Sequence, residues 1–253
     1  MPKSSAFDQH VADYDAWFDR HRPVYESELQ VVRELLGRGR TLEIGVGTGR
    51  FAGPLKVGWG VEPSARMRAV ACERGVDAID GVAERLPHAD QSFDAVLMVT
   101  TICFLDDVDA ALLEAGRVLR PDGHLVIGFI DRESPVGRDY QAHHAESVFY
   151  REATFLSASE VAEHLRRAGF IDLVFRQTLF TPLADVAAVQ PSQPGYGAGS
   201  FVVVRTQRRG RPFTQAMAGQ TRAVRPSLTP RASLTDGPDA GGGARGGGRR
   251  VRH

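Results

Sequence analysis

The residues best suited to bind a ligand lie in the segment LEIGVGTG at 42–49, which holds three glycines within five residues. Glycine permits a positive φ and lets a ligand approach the backbone with no Cβ in the way. The segment follows a predicted strand and leads into a predicted helix, which is where doubly wound sheets bind their ligands. A plain strand-to-helix turn rarely needs three glycines, so this segment is predicted to contact a ligand.

Two phosphate-binding motifs compete for the same glycines. The dinucleotide fingerprint is G-x-G-x-x-G, but the spacing here is G-x-G-x-G, and Arg50 stands where the third glycine should fall. A P-loop ends in G-K-S or G-K-T, and this segment lacks that ending. Neither phosphate motif is therefore satisfied.

Glu62 ends the next predicted strand, in the sequence GVEP at 60–63. An acidic side chain at the tip of the second strand can accept hydrogen bonds from both hydroxyls of a ribose. Alone, it would more often be an ordinary exposed glutamate. Because Glu62 follows Gly45 by 17 residues, the two features together predict a nucleoside site.

The elements that must position these residues alternate along the chain between short apolar runs and helical stretches. Residues 1–37 are predicted to be helical and to form a cap. Strands are predicted at 40–45, 57–62, 76–81, 93–99, 123–130, 170–179 and 200–206, and helices at 49–55, 64–74, 107–120 and 157–168. Strands separated by helices indicate a parallel sheet that is covered on both faces. We predict an α/β fold with a doubly wound, seven-stranded, mostly parallel sheet, an antiparallel last strand and an N-terminal helical cap.

Charge divides the chain after residue 206. Residues 1–206 hold 21 basic and 29 acidic side chains, whereas 207–253 hold ten arginines and two acids. The second stretch also has nine glycines and four prolines, and it has too few large apolar side chains to offset its chain entropy. We predict one domain over 1–206 and a disordered Arg/Gly-rich tail over 207–253. The sequence GGGARGGGRR at 241–250 leaves RNA binding or RNA modification as an alternative function.

Composition excludes several classes of protein. No run of 18 apolar residues predicts a membrane span, and the first 15 residues lack the apolar core of a secretory signal. The two cysteines, Cys72 and Cys103, are too few for a disulfide framework or a zinc site. We therefore expect a cytoplasmic protein, a monomer or homodimer, with no bound metal.

Residues 40–130 resemble the class I, Rossmann-like S-adenosylmethionine-dependent methyltransferases of the type 11 group. The resemblance is carried by E-x-G-x-G-x-G at 43–49, GVEPSxxM at 60–67, GVAExLP at 81–87, SFDAV at 92–96 and LRPDGHLV at 119–126. A narrower resemblance, to a bacterial group labelled histamine N-methyltransferase-related, is carried by IGVGTGRFA, LMVTTICF, DRES and SVFY.

The resemblance implies S-adenosylmethionine as the cofactor and places its parts along the chain. The glycine segment would line the methionine part, Glu62 would hold the ribose, and the residues that follow would surround the adenine. The implied cofactor-binding residues are Glu43, Gly45, Gly47, Gly49, Glu62, Pro63, Met67, Ala83, Glu84 and Thr100. The sequence departs from many relatives at Val82, where an aspartate is common, and in a helix after the glycine segment that is shorter by about one turn.

A small-molecule methyl acceptor is expected beyond the end of the fourth strand. The hydroxyls of Thr100 and Thr101 lie there and could orient it, although β-branched residues at a strand end are equally ordinary. Tyr14 in the helical cap has a polar tip suited to the site. His143, in a segment over 131–156 that could form a lid, could act as a base. An amine nitrogen and a hydroxyl oxygen remain alternative acceptors.

Overall fold

The computed structural model describes residues 5–208, which form one α/β unit. The helices are α1 (Ser5–Gln9), α2 (Val11–Arg20), α3 (Arg22–Leu36), α4 (Ala52–Leu55), α5 (Ala65–Glu73), α6 (Val108–Val118), α7 (Pro135–His143) and α8 (Ala158–Arg167). The strands are β1 (Thr41–Ile44), β2 (Trp59–Val61), β3 (Asp77–Ile79), β4 (Phe93–Val99), β5 (Leu119–Ile130), β6 (Phe170–Thr178), β7 (Gln193–Pro194) and β8 (Phe201–Arg208). None of the helices within 5–208 is long and apolar enough to cross a membrane.

The sheet confirms the predicted doubly wound topology. Its strand order is β3-β2-β1-β4-β5-β8-β6-β7, with β1 to β5 parallel and β8 antiparallel between β5 and β6. The chain winds outward in opposite directions from β1 and from β4. The carboxyl ends of these two strands therefore flank the crevice where such sheets bind ligands.

Each face of the sheet buries its own apolar core. Alternate residues of a strand point to opposite faces, so Leu97 of β4 packs with α3, whereas Val96 packs with α6 and α8. Helix α8 begins at a capping box, in which Ser157 and Glu160 satisfy each other's backbone amides. These helices hold the carboxyl ends of the central strands in place.

The structure corrects several predicted boundaries. The sheet has eight strands rather than seven, because Gln193 and Pro194 pair with β6 in a two-residue strand that has no apolar alternation to reveal it. Helix α4 is a single turn that ends at Leu55 and is followed by Lys56 in the left-handed conformation. Strand β8 continues to Arg208, two residues into the predicted tail. The rest of that tail, 209–253, lies outside the described residues, as do residues 1–4.

Candidate active site

A cavity of about 530 Å³ opens at the carboxyl end of the sheet, within the size range of small-molecule sites. Its walls come from the loop after β1, the ends of β2 and β4, the helices α2 and α3, and the segment around α7. The glycine segment, Glu62 and the predicted helical cap therefore line one cavity.

Glu62 is fixed by two backbone amides. Gly47 N donates to Glu62 Oε2 and Ser64 N donates to Oε1, both at 2.9 Å. The side chain is buried and lines the cavity. Burial raises the pKa of Glu62, and the two amides oppose that rise. Each carboxylate oxygen keeps lone pairs free to accept from a ligand hydroxyl.

The three glycines play different parts. Gly45 and Gly47 line the cavity and have φ of +69° and +54°. A Cβ at Gly47 would lie 3.4 Å from Tyr14 Oη, so glycine keeps the space between loop and cap open. Gly49 also has positive φ, but it faces Ala71 and Val76 instead of the cavity. The structure therefore brings Gly49 into the packing of α5 and not into the cavity wall.

Glu43 lies behind the glycine loop. It is 2 % exposed, is absent from the cavity wall, and accepts a hydrogen bond from the backbone amide of Ala52. Burial, together with the charge of Glu62, raises the pKa of Glu43 well above its usual range. Its Oε2 has no hydrogen-bond partner among the described residues. The structure therefore places Glu43 behind the glycine loop and not on the cavity wall, where it was predicted to contact the cofactor.

The predicted adenine-binding residues line one end of the cavity. Pro63, Met67 and Ala83 contribute apolar surface there, and Val82 lies on the same wall. Glu84 Oε1 accepts from the backbone amides of Asp106 and Asp107, at 3.0 and 3.3 Å. The Glu84 carboxylate therefore positions the loop before α6 while it lines the cavity.

The two threonines at the end of β4 differ in role. Both line the cavity, and Thr100 has a φ of +50°. The Thr101 hydroxyl donates to backbone carbonyls at the strand ends, and its Oγ1 lies 3.1 Å from both Ile44 O and Val99 O. Because this hydroxyl is already engaged, Thr101 is suited to hold the glycine loop and not to orient an acceptor.

His143 is, with Glu43 and Gly49, a predicted site residue that the structure does not bring to the cavity wall. It ends α7 with 62 % of its side chain exposed, and its Nδ1 lies 3.2 Å from Asp139 Oδ1. The same segment does supply cavity walls through Tyr140, Phe149 and Tyr150. No three His, Cys, Asp or Glu side chains within 5–208 are grouped as a metal site.

Sequence reasoning missed Glu28, a buried carboxyl group on the cavity wall. Burial raises the pKa of Glu28 to about 8. The signal was present in the helical periodicity, because Val24, Glu28, Val31 and Leu35 recur at the spacing of one helix face. A carboxyl group buried in an apolar stripe is costly to ionise unless it meets a partner or a ligand.

The cap is tied to the glycine loop through Asp15. Arg50 and Arg74 each donate to Asp15 Oδ1 at 2.8 Å, and Thr48 Oγ1 donates to the same oxygen at 2.8 Å. Burial alone would raise the pKa of Asp15, but these hydrogen bonds outweigh it and lower the pKa. Arg50, which stands where the dinucleotide motif has a glycine, therefore helps to hold α2 over the cavity.

Replacing Asp15 by asparagine is expected to destabilise the cap. The substitution weakens charge-assisted hydrogen bonds, with an expected loss of about 1–3 kcal/mol in the free energy of unfolding. Because the folded pKa is depressed, the wild-type advantage should be full above the ordinary carboxyl pKa and be lost progressively as pH falls from there through the lower pKa of the folded state. Denaturant melts at several pH values measure both effects. Asp13→Asn, on the exposed side of the same helix, is the matched control, and an equal loss there would refute this role.

The strand order, the glycine loop after β1 and the anchored carboxylate after β2 define a nucleoside-binding Rossmann-like site. Residues 42–127 match the family described as the methyltransferase domain. The chain belongs to the class I S-adenosylmethionine-dependent methyltransferases, and S-adenosylmethionine is its cofactor. The residues fit this cofactor: Glu62 presents free lone pairs, Gly47 leaves room at the loop, and Met67 offers an apolar surface.

Similar proteins include a solved structure of a SAM-dependent methyltransferase, possible histamine N-methyltransferase, from Thermotoga maritima. It is 49 % identical, with a TM-score of 0.80 over 81 % of this chain and 100 % of that chain. An uncharacterized protein of Methanocaldococcus jannaschii is 39 % identical over 81 % of this chain and 99 % of its own length. Malonyl-[acyl-carrier protein] O-methyltransferase of Geobacter sulfurreducens is 31 % identical over 78 % of this chain and 80 % of its own length.

Proposed function

We propose that this methyltransferase acts on a small molecule and that it methylates an amine nitrogen in preference to a hydroxyl oxygen. The observation that carries the proposal is the continuity of the cavity. The space beside Glu62 extends between aromatic side chains of the cap and of the α7 segment, including Phe7, Tyr14 and Tyr150. That enclosure suits a small acceptor better than a macromolecule.

The chain's own residues bind the cofactor, orient the acceptor and exclude water. Glu62 accepts hydrogen bonds from ribose hydroxyls, while Met67 and Ala83 provide the apolar surface for the adenine. When bound, S-adenosylmethionine supplies an activated methyl group, whose bond to sulfur breaks with its electron pair as the acceptor's lone pair bonds to carbon. The aromatic wall keeps water away and holds the acceptor in line, which is the main contribution a protein makes to such a displacement.

The charge of the wall supports an amine acceptor. Of its described residues, Asp13, Glu28, Glu62, Glu84 and Asp106 have carboxyl groups, whereas Arg20 is the basic residue; Asp13, Arg20 and Asp106 are exposed. Such a wall disfavours carboxylate and phosphate acceptors and attracts cations. The name of the Thermotoga relative, a possible histamine N-methyltransferase, also supports nitrogen, while the Geobacter relative is an O-methyltransferase.

The test is formation of S-adenosylhomocysteine by the full-length protein with a panel of small amines, phenols, carboxylic acids and RNA. We expect turnover with at least one small amine, weaker or no turnover with phenols, and none with carboxylic acids or RNA. Glu62→Gln serves as the inactive control for contaminating enzymes. Turnover confined to RNA or protein acceptors would overturn the proposal.

A further inference from the structure

One carboxyl group on the cavity wall stands without a protein partner. Glu28, on the inner face of α3, is 5 % exposed and lines the same cavity as Glu62. Burial is the one influence that shifts its pKa, so no described residue binds it as a hydrogen-bond donor or cation. A carboxylate is strongly disfavoured in such surroundings unless it is paired. A ligand in the cavity is the partner that remains.

Aromatic rings line the same cavity as this carboxyl group. They include Tyr14 from α2, Tyr140 from α7 and Tyr150 from the segment after α7, and a charge on Glu28 raises the pKa of each. Tyr140 and Tyr150 stack with their ring centroids 5.0 Å apart, and Phe104 also stacks with Tyr150 at 5.9 Å. Aromatic faces attract organic cations, most strongly where water is excluded. A carboxylate among aromatic rings can therefore bind an ammonium group.

We propose that Glu28 recognises the methyl acceptor, and that this acceptor is a small amine bound as an ammonium ion by the Glu28 carboxylate among Tyr14, Tyr140 and Tyr150. The inference rests on the proposed function, because the amine that Glu28 would bind is the methyl acceptor. It goes further by naming the charge that selects the acceptor and the residue that supplies it.

The same carboxylate can take the proton that an ammonium nitrogen must lose before it can react. Proton transfer to Glu28 breaks one N–H bond, forms one O–H bond and leaves a lone pair on the nitrogen. An ion pair becomes a neutral amine beside a neutral acid, so the net charge in the cavity is unchanged. Glu28 keeps this proton when the methylated product leaves and releases it to solvent when the next ammonium ion binds.

Amine binding is therefore linked to pH. Burial raises the pKa of Glu28 to about 8, so the carboxyl is mainly protonated in the free protein at pH 7. Binding an ammonium ion must then release close to one proton. The facing groups, Tyr14, Tyr140 and Tyr150, stay neutral because burial raises the pKa of each. Amine affinity is expected to rise about tenfold per pH unit up to about pH 8 and then to level off.

Calorimetry on the full-length protein, saturated with S-adenosylhomocysteine, tests this proposal. Small primary amines, including 2-phenylethylamine and histamine, are titrated in two buffers of different ionisation enthalpy, with 2-phenylethanol as a neutral counterpart. Three proteins are compared: wild type, Glu28→Gln, and the matched control Glu26→Gln. Glu26 lies on the same helix but is paired with Arg22, with its Oε1 2.7 Å from Arg22 Nε.

We expect the wild type to bind at least one amine and to release close to one proton at pH 7. Glu28→Gln should weaken amine binding roughly 10- to 100-fold, abolish proton release and leave both S-adenosylhomocysteine affinity and 2-phenylethanol binding unchanged. Glu26→Gln should behave as the wild type. If Glu28→Gln does not fold, proton release by the wild type decides.

Equal amine affinity in the wild type and Glu28→Gln, amine binding without proton release, or failure of every amine in the panel to bind would each overturn the role of Glu28. Methylation of phenols alone would overturn it as well, while small-molecule methyl transfer stood. Failure of the wild type to methylate any small acceptor would instead defeat the proposed function.

Discussion

Glu62→Gln is expected to weaken S-adenosylmethionine binding by roughly 100-fold, the equivalent of two to three kcal/mol carried by charge-assisted hydrogen bonds. The carboxylate accepts from Gly47 N and Ser64 N at 2.9 Å and keeps lone pairs for the ribose. A glutamine offers one accepting oxygen in place of two, so an amide or a ribose hydroxyl loses its partner. Calorimetric titration measures the change in affinity.

The control for this substitution is Glu73→Gln, an equal change of charge at an exposed position on α5. It should leave the affinity for S-adenosylmethionine unchanged. Glu62→Asp, which keeps the charge on a shorter side chain, should fall between the wild type and Glu62→Gln. Unaltered affinity in Glu62→Gln would show that the cofactor binds elsewhere.

Gly45→Ala is expected to lower the free energy of unfolding by about 2–5 kcal/mol. An alanine at φ of +69° has unfavourable backbone geometry, and its Cβ would lie 2.5 Å from both Thr101 Cγ2 and Thr101 Oγ1. Relief of that overlap would displace the hydroxyl that holds the ends of β1 and β4 together. Denaturant unfolding measures the loss.

Gly58→Ala is the matched control for Gly45→Ala. A Cβ at Gly58 would meet no atom within 4 Å, and the residue does not have a left-handed φ. Its free energy of unfolding should change by less than about 0.5 kcal/mol, as for ordinary surface substitutions. A loss in Gly58→Ala as large as that in Gly45→Ala would mean that the glycine loop holds no special conformation.

The sequence predicted those parts of the site that lie next to each other along the chain or at the ends of predicted strands. The glycine loop and Glu62 are adjacent to the ends of β1 and β2, so strand prediction and residue type together were enough to place them at one edge of the sheet. The sheet topology followed for a similar reason, because strands separated by helices can be joined in few ways. These features depend on short stretches of chain.

The residues that sequence analysis missed or misplaced depend on contacts between distant elements. Asp15 meets Arg50 and Arg74 across 35 and 59 residues of chain, and no local pattern announces that cluster. His143 was favoured for its chemistry, but α7 turns it toward Asp139 and solvent. Glu28 could have been found from its place in an apolar helix face, although only the folded cavity shows what it faces.

The central claim is that the cavity around Glu62 binds S-adenosylmethionine and not a dinucleotide. Isothermal titration of the full-length protein with S-adenosylhomocysteine, and separately with NAD, tests it most directly. We expect S-adenosylhomocysteine to bind with a dissociation constant of about micromolar order, roughly 8 kcal/mol, and NAD to give no heat of binding. Saturable binding of NAD, with none of S-adenosylhomocysteine, would contradict the account.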